Sequence, residues 1–163
     1  MQLPTKDEVI SALGEVNSRL QGLADQIKER PDTNLLSGTW TVRDTLCHLA
    51  ARSNGVPTFI TRLERLATAT TQPAAAPAAM NIDEVNQSQL DARQGRSAEQ
   101  LMEEIRAGHV AAIDGVKQLD ESTFSRVVPN FRGEHVEAGN MLLGSTARHD
   151  NTHLDEIEKA LTG

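Results

Sequence analysis

Aromatic side chains are nearly missing from this 163-residue chain, which has three Phe, one Trp and no Tyr. That removes the stacking platforms on which single-stranded nucleic acid is held. Basic residues are in deficit too, 16 Lys and Arg against 23 Asp and Glu, for a net charge of -7. Phosphate binding needs clustered Lys and Arg, so nucleic acid is not the expected partner. No apolar run approaches the ~20 residues of a membrane-spanning helix, so no membrane partner is expected. The opening residues, MQLPTKDE, lack the apolar stretch of a secretory signal. A lone cysteine, Cys47, excludes an internal disulfide and fits a reducing compartment. The expectation is a soluble, cytoplasmic, single domain over residues 1–163, long enough to bury its own core.

What is present is aliphatic and periodic. Thr5 and Glu8 form a capping box, in which each side chain takes a free N–H of the first turn. Behind it Val9, Leu13, Val16, Leu20, Leu23 and Ile27 recur at three- and four-residue steps, the period of a helix with one buried face, and Pro31 closes the stretch. Thr41 and Asp44 repeat the box ahead of Val42, Leu46, Leu49, Val56, Ile60 and Leu63. Gly55 and Pro57 within that run predict a kink or a break. Residues 67–80, ATATTQPAAAPAAM, read as a low-complexity connector.

A short helix is expected from Asn81 to Gly95, and Ser97 with Gln100 caps another that turns Leu101, Ile105, Ala112, Val116 and Leu119 inward. Residues 120–138 predict either an irregular loop or a short extended piece, and a last helix runs from Ala138 to Leu161. Neither an internal repeat nor a sheet pattern is visible. The fold class is all-α, a helical bundle with a short extra helix and long connections.

Chemistry concentrates on the last helix, at His149 and His153. Their i, i+4 spacing places both imidazoles on one face a turn apart, as a metal ion requires. They also lie along the apolar stripe between Thr146 and Ile157, where a neutral imidazole needs a partner for each ring nitrogen. A divalent cation shared between them meets that need; an accidental, solvated pair is the other reading. His48 flanks the buried stripe of the second helix, near its start. With it, three histidines from two helices would supply three protein ligands and leave coordination positions open, the pattern of a catalytic site. Glu156, three residues past His153, is a candidate ligand, outer-sphere acceptor or general base.

Two stretches carry a family resemblance: Trp40–Leu49, WTVRDTLCHL, and His149–Ile157, HDNTHLDEI. Together they resemble the DinB-like superfamily, whose members show W-[ST]-x-x-[DE]-x-x-x-H-L in the second helix and H-x-x-x-H in the fourth. That group includes the damage-inducible DinB proteins, thiol-transferases of the YfiT type and mycothiol-dependent maleylpyruvate isomerases. The middle stretches, Asp83–Asn86 and Arg96–Leu101, are similar to the isomerase-like branch. The resemblance implies a four-helix bundle with up-down-down-up connectivity, with residues 67–96 as the crossover. It implies His48, His149 and His153 as the ligands of zinc, nickel or manganese. It also implies a low-molecular-weight thiol as a second cofactor, a small-molecule substrate and a homodimer. The isomerases carry a further C-terminal domain, which is not expected of a chain ending at Gly163.

Bound as expected, such a metal lowers the pKa of coordinated water or thiol toward neutrality, so no protein thiol is needed as nucleophile. Cys47 points about 100° away from His48 around the helix and reads as a small core filler. His109 faces inward, either as a fourth ligand or substrate contact or as a satisfied core histidine; His135 falls in a polar loop. Trp40 is expected to seal a bundle end by packing, its N–H satisfied locally. Arg43, Arg148 and Asn86 are candidates for binding an anionic substrate or thiol, with exposed salt bridges or a surface amide as the alternatives. Met80, Met102 and Met141 read as packing. A broad apolar stripe on the first helix, with Ile10 beside Val9, adds weight to self-pairing. Two function classes follow. One is a divalent-metal-dependent enzyme on a small molecule, a thiol-dependent S-transferase, an isomerase or a hydrolase. The other is a non-catalytic, stress-related helical protein that binds metal or a small ligand.

Overall fold

The computed structural model describes residues 3–68, 81–130 and 134–163, and its elements are helical apart from one hairpin. Helix α1 covers Lys6–Glu29, α2 Val42–Thr68, α3 Ile82–Asp91 and α4 Ala98–Gln118. A two-stranded hairpin follows, β1 Val127–Pro129 and β2 His135–Glu137, then α5 Ala138–Leu143 and α6 His149–Thr162. The three capping boxes form as the sequence predicts. Glu8 N–H and Gln100 N–H donate to the Thr5 and Ser97 hydroxyls, and Asp44 N–H donates to that of Thr41.

Side-chain pairs fix the direction of each long helix. Asn17 of α1 meets His109 of α4, while Lys6 reaches the Lys117 carbonyl, so α1 and α4 are antiparallel. Arg19 meets Asp155 and Arg30 meets the Leu161 carbonyl, so α1 and α6 are parallel. His48 faces His149 and Arg52 faces Ser145, so α2 is antiparallel to α6. The four long helices therefore run up, down, down and up, an all-α four-helix bundle. Two parallel neighbours, α2 and α4, need a long crossover, which includes α3; the 67–80 connector falls mostly outside the described residues, as does Met80.

Packing between α2 and α4 is the most extensive in the bundle. Gly108 permits it: a Cβ there would lie 2.7 Å from Ser53 Oγ and 2.8 Å from the Ser53 carbonyl carbon. The stripe Val9, Leu13, Val16, Leu20, Leu23 and Ile27 is buried against α4 and α6 within the chain. Each fully buried aliphatic contributes on the order of 1.5–3 kcal/mol. The apolar width of α1 is thus largely used inside the bundle.

Three local expectations change. No break interrupts α2 at Gly55 or Pro57; the helix runs through both. Pro57 removes one ladder N–H, but Val56 and Ile60 remain buried in the core and keep the helix in register. Val127–Pro129 and His135–Glu137 pair antiparallel, Val128 opposite Val136, so the short extended piece forms and His135 sits on a strand rather than in a loop, exposed. The last helix is not uniform: Gly144–Arg148 widen into a π turn between α5 and α6. Such turns re-aim the side chains that follow and recur at functional sites.

Candidate metal centre

His48, in the second turn of α2, and His149 and His153, in the first two turns of α6, converge although 101 residues separate the first two. One ligand atom from each lies within 4.8 Å of the other two. His48 Nε2 and His149 Nε2 stand 3.2 Å apart. Two metal–nitrogen bonds of ~2.0–2.1 Å at a tetrahedral angle would place their nitrogens ~3.3 Å apart. The spacing fits a shared ion.

The outward ring nitrogens explain why the inner ones face one another. His48 Nδ1–H donates to Gln89 Oε1 at 2.9 Å, His149 Nδ1–H to Asp150 Oδ1 at 2.9 Å, and His153 Nδ1–H to Glu156 Oε2 at 2.9 Å. Each Nδ1 faces an oxygen acceptor, so the proton belongs there and the Nε2 lone pair faces the cluster. Lone pairs converging in a sheltered pocket repel one another unless a cation lies between them. Burial holds His48 down to about 4, with His149 and His153 pressing the same way. Burial, followed by the charge of His149, likewise lowers His153. Burial therefore favours the neutral form of His48 and His153, the form a metal needs.

A second tier runs inward. Asp150, 2% exposed, accepts from His149 with one oxygen and from His109 Nε2–H with the other, at 2.8 Å. His109 Nδ1 lies 2.7 Å from Asn17 Oδ1. Burial opposes the charge of Asp150, but the hydrogen bonds from His109 and His149 outweigh it and hold the carboxyl below its ordinary value. Helices α1, α4 and α6 are thereby tied to the His149 imidazole.

The cluster opens on a cavity of about 530 Å³. Trp40, Ile82, Val85, Val136 and Met141 give it apolar walls, and Asn86, Gln89, Asn140 and Arg52 reach it with polar groups. Trp40 packs against the core as expected and also walls the site, its ring 5.2 Å from His48 and 6.3 Å from His153; its N–H has no hydrogen bond among the described residues.

The other candidates fall as follows. Asn86 lines the cavity. Glu156 stands behind His153, accepting from it and from Ser37 Oγ at 3.1 Å; it orients the His153 ring and does not line the cavity. Arg43 is held by Asp32 and the Arg96 carbonyl, and Arg148 is exposed beside Asn151; neither reaches the cavity. His109 is a satisfied core histidine, and Cys47 is buried with its Sγ toward the Arg93 carbonyl. Sequence reading passed over Arg52, Gln89 and Asp150. Arg52 is four residues from His48 and shares its face, and Asp150 is a carboxylate four residues from buried Thr146; both signals were present. For Gln89 there was none, since only the crossover brings α3 to α2.

The family description "Mycothiol maleylpyruvate isomerase N-terminal domain" matches residues 13–143, most of the chain. The chain belongs to this family. The first two histidine-bearing turns of α6 lie just beyond the matched stretch. Among solved structures, an uncharacterized protein from Clostridium difficile 630 superposes with a TM-score of 0.71, covering 98% of this chain and 96% of that one at 12% identity. A protein from Streptococcus pneumoniae reaches 0.74, covering 98% and 91% at 15% identity. At such identities the likeness concerns the DinB-like fold alone. No curated protein matches the chain.

Proposed function

We propose that this protein is a divalent-metal-dependent enzyme acting on a small molecule, with His48, His149 and His153 as the ligands and a low-molecular-weight thiol as co-substrate. One observation carries the reading: three imidazoles, each with Nδ1–H donated to an oxygen, aim Nε2 at a common point on the wall of a cavity. A zinc, nickel or manganese ion bound there would act as a Lewis acid and make a coordinated thiol or water more acidic. Gln89, Asp150 and Glu156 would hold the ligands' tautomers and ring orientations. Trp40 and the aliphatic walls would exclude water from the reacting groups. S-transfer or isomerisation is the reaction class, supported by the family's description, which names a mycothiol-linked isomerase. Lone, buried Cys47 agrees with a cytoplasmic location.

The test has two stages. Metal content of protein purified without added metal should be near one ion per chain and should collapse in His48→Ala, His149→Ala and His153→Ala. The metal-loaded protein is then assayed for conjugation of small thiols to electrophiles and for thiol-dependent cis–trans isomerisation of unsaturated acids. Undiminished metal in the three variants would refute the ligand set. Stoichiometric metal without turnover in either assay would favour a binding protein over an enzyme.

A further inference from the structure

Arg52 is the group in the cavity that the metal reading leaves unused. It projects from α2 one turn past His48, is largely buried, and donates through Nη2 to the Ser145 carbonyl in the π turn at 2.7 Å. Its Nε is fully enclosed without a hydrogen-bond partner. No carboxylate among the described residues comes within ion-pair distance of it, although other arginines, such as Arg19, Arg93 and Arg106, are paired. Asp150 acts on it only at longer range, and both of that residue's oxygens are taken by His109 and His149. In a chain with 23 acidic residues, none lines the described part of this cavity.

A buried guanidinium without an anion is costly, and a protein keeps one where a ligand supplies the charge. The surroundings describe the rest of that ligand. Besides Arg52 the lining holds the apolar Ile82, Val85, Val136, Met141 and Trp40, and Asn86, Asn130 and Asn140 add polar groups without charge. Among the described lining residues Arg52 is the one permanently cationic side chain. A second anionic group would have to leave water for an apolar wall.

We propose that the cavity takes an organic monoanion with an apolar body, its carboxylate on Arg52 and its body against the Ile82–Val85–Met141 wall. The proposal rests on the cavity being the substrate site, and it sharpens that reading by making Arg52 the specificity-determining residue. It does not need the metal.

Calorimetric titration of the full chain, metal-free after chelation and again zinc-loaded, with octanoate, octanamide and suberate tests it. These share a chain length and differ in carrying one, no and two carboxylates. Octanoate should bind the metal-free protein at least about tenfold more tightly than either of the others, a difference of about 1.4 kcal/mol. Arg52→Gln should erase that advantage while leaving octanamide affinity unchanged, which also reports that the cavity is intact. Equal binding of octanoate and octanamide, or an anion preference that survives Arg52→Gln, overturns the assignment of Arg52. Suberate binding as tightly as octanoate overturns the apolar body. If zinc fails to bind, the metal reading falls while the metal-free titration still decides this one.

Discussion

Removing the Asp150 carboxylate should damage both the fold and the metal site, by amounts that differ between two substitutions. In the native protein its two oxygens take the N–H groups of His109 and His149, and His109 is fully buried. Asp150→Ala deletes both acceptors at once. An unsatisfied buried donor costs about 1–3 kcal/mol, and more when charge is involved, so the fully buried His109 and the half-buried His149 together give a loss of about 3–5 kcal/mol. That is a large part of the 5–15 kcal/mol typical of a domain. Asp150→Asn keeps one oxygen for His149. Its NH2 would face His109 Nε2, and His109 can move its proton to Nδ1, where Asn17 Oδ1 waits 2.7 Å away. The cost should fall to about 2–3 kcal/mol, the worth of two charged hydrogen bonds against two neutral ones. Zinc affinity should drop about 10–100-fold in the alanine variant, because His149 loses the acceptor that fixes its ring. Urea unfolding of the chelated protein and competition titration with a zinc indicator measure the two quantities. Equal destabilisation by Ala and Asn, or an alanine variant within about 1 kcal/mol of wild type, would refute the network as described.

Gly108→Ala should destabilise by about 1–3 kcal/mol in urea, since overpacking against the Ser53 backbone outweighs the ~1 kcal/mol gained in helix propensity. Gly14→Ala in α1, where a Cβ would meet nothing within 4 Å, should stabilise instead, and a common sign for the two variants would sink the packing argument. Acid should weaken the metal-free fold through His48, which titrates at about 4 when folded. The unfolded chain takes up that proton near pH ~6.5, so stability from this source is intact above that pH and declines toward pH 4, by on the order of 3 kcal/mol. His48→Gln should flatten that dependence, and an unchanged slope of the unfolding midpoint against pH would count against it. Self-association, which the family resemblance suggests, is read by light scattering at micromolar concentration: a mass near one 17.7 kDa chain refutes pairing.

The sequence by itself determined the helices and pointed to the three histidines that cluster. Capping boxes and a three-to-four apolar period are local signals, and local hydrogen bonds and rotamer limits are what make a helix. The pair His149 and His153 was legible for the same reason, as spacing on one helix translates directly into spacing on one face. His48 was a candidate from its place beside the buried stripe of α2, and the resemblance of its surrounding motif then matched it to that pair. Elsewhere the local rule left two outcomes open: Gly55 and Pro57 predict a kink or a break, and the break does not occur because core contacts on both sides carry α2 through them. Arg43 and Arg148 were singled out by closeness in sequence to the histidines, which says nothing of the side of the helix on which the cavity opens, whereas Glu156, chosen for sharing a face with His153, is the acceptor of its Nδ1–H.

Only the tertiary structure decided the second tier of the site. Gln89 arrives from α3 across the crossover, His109 and Asn17 come from two other helices, and Arg52 is left without a carboxylate by everything packed around it. Whether a buried polar group has its partner is a property of how helices far apart in the chain are brought together. No pattern within one helix contains that information, because burial and partnership are set by the neighbours and not by the residue.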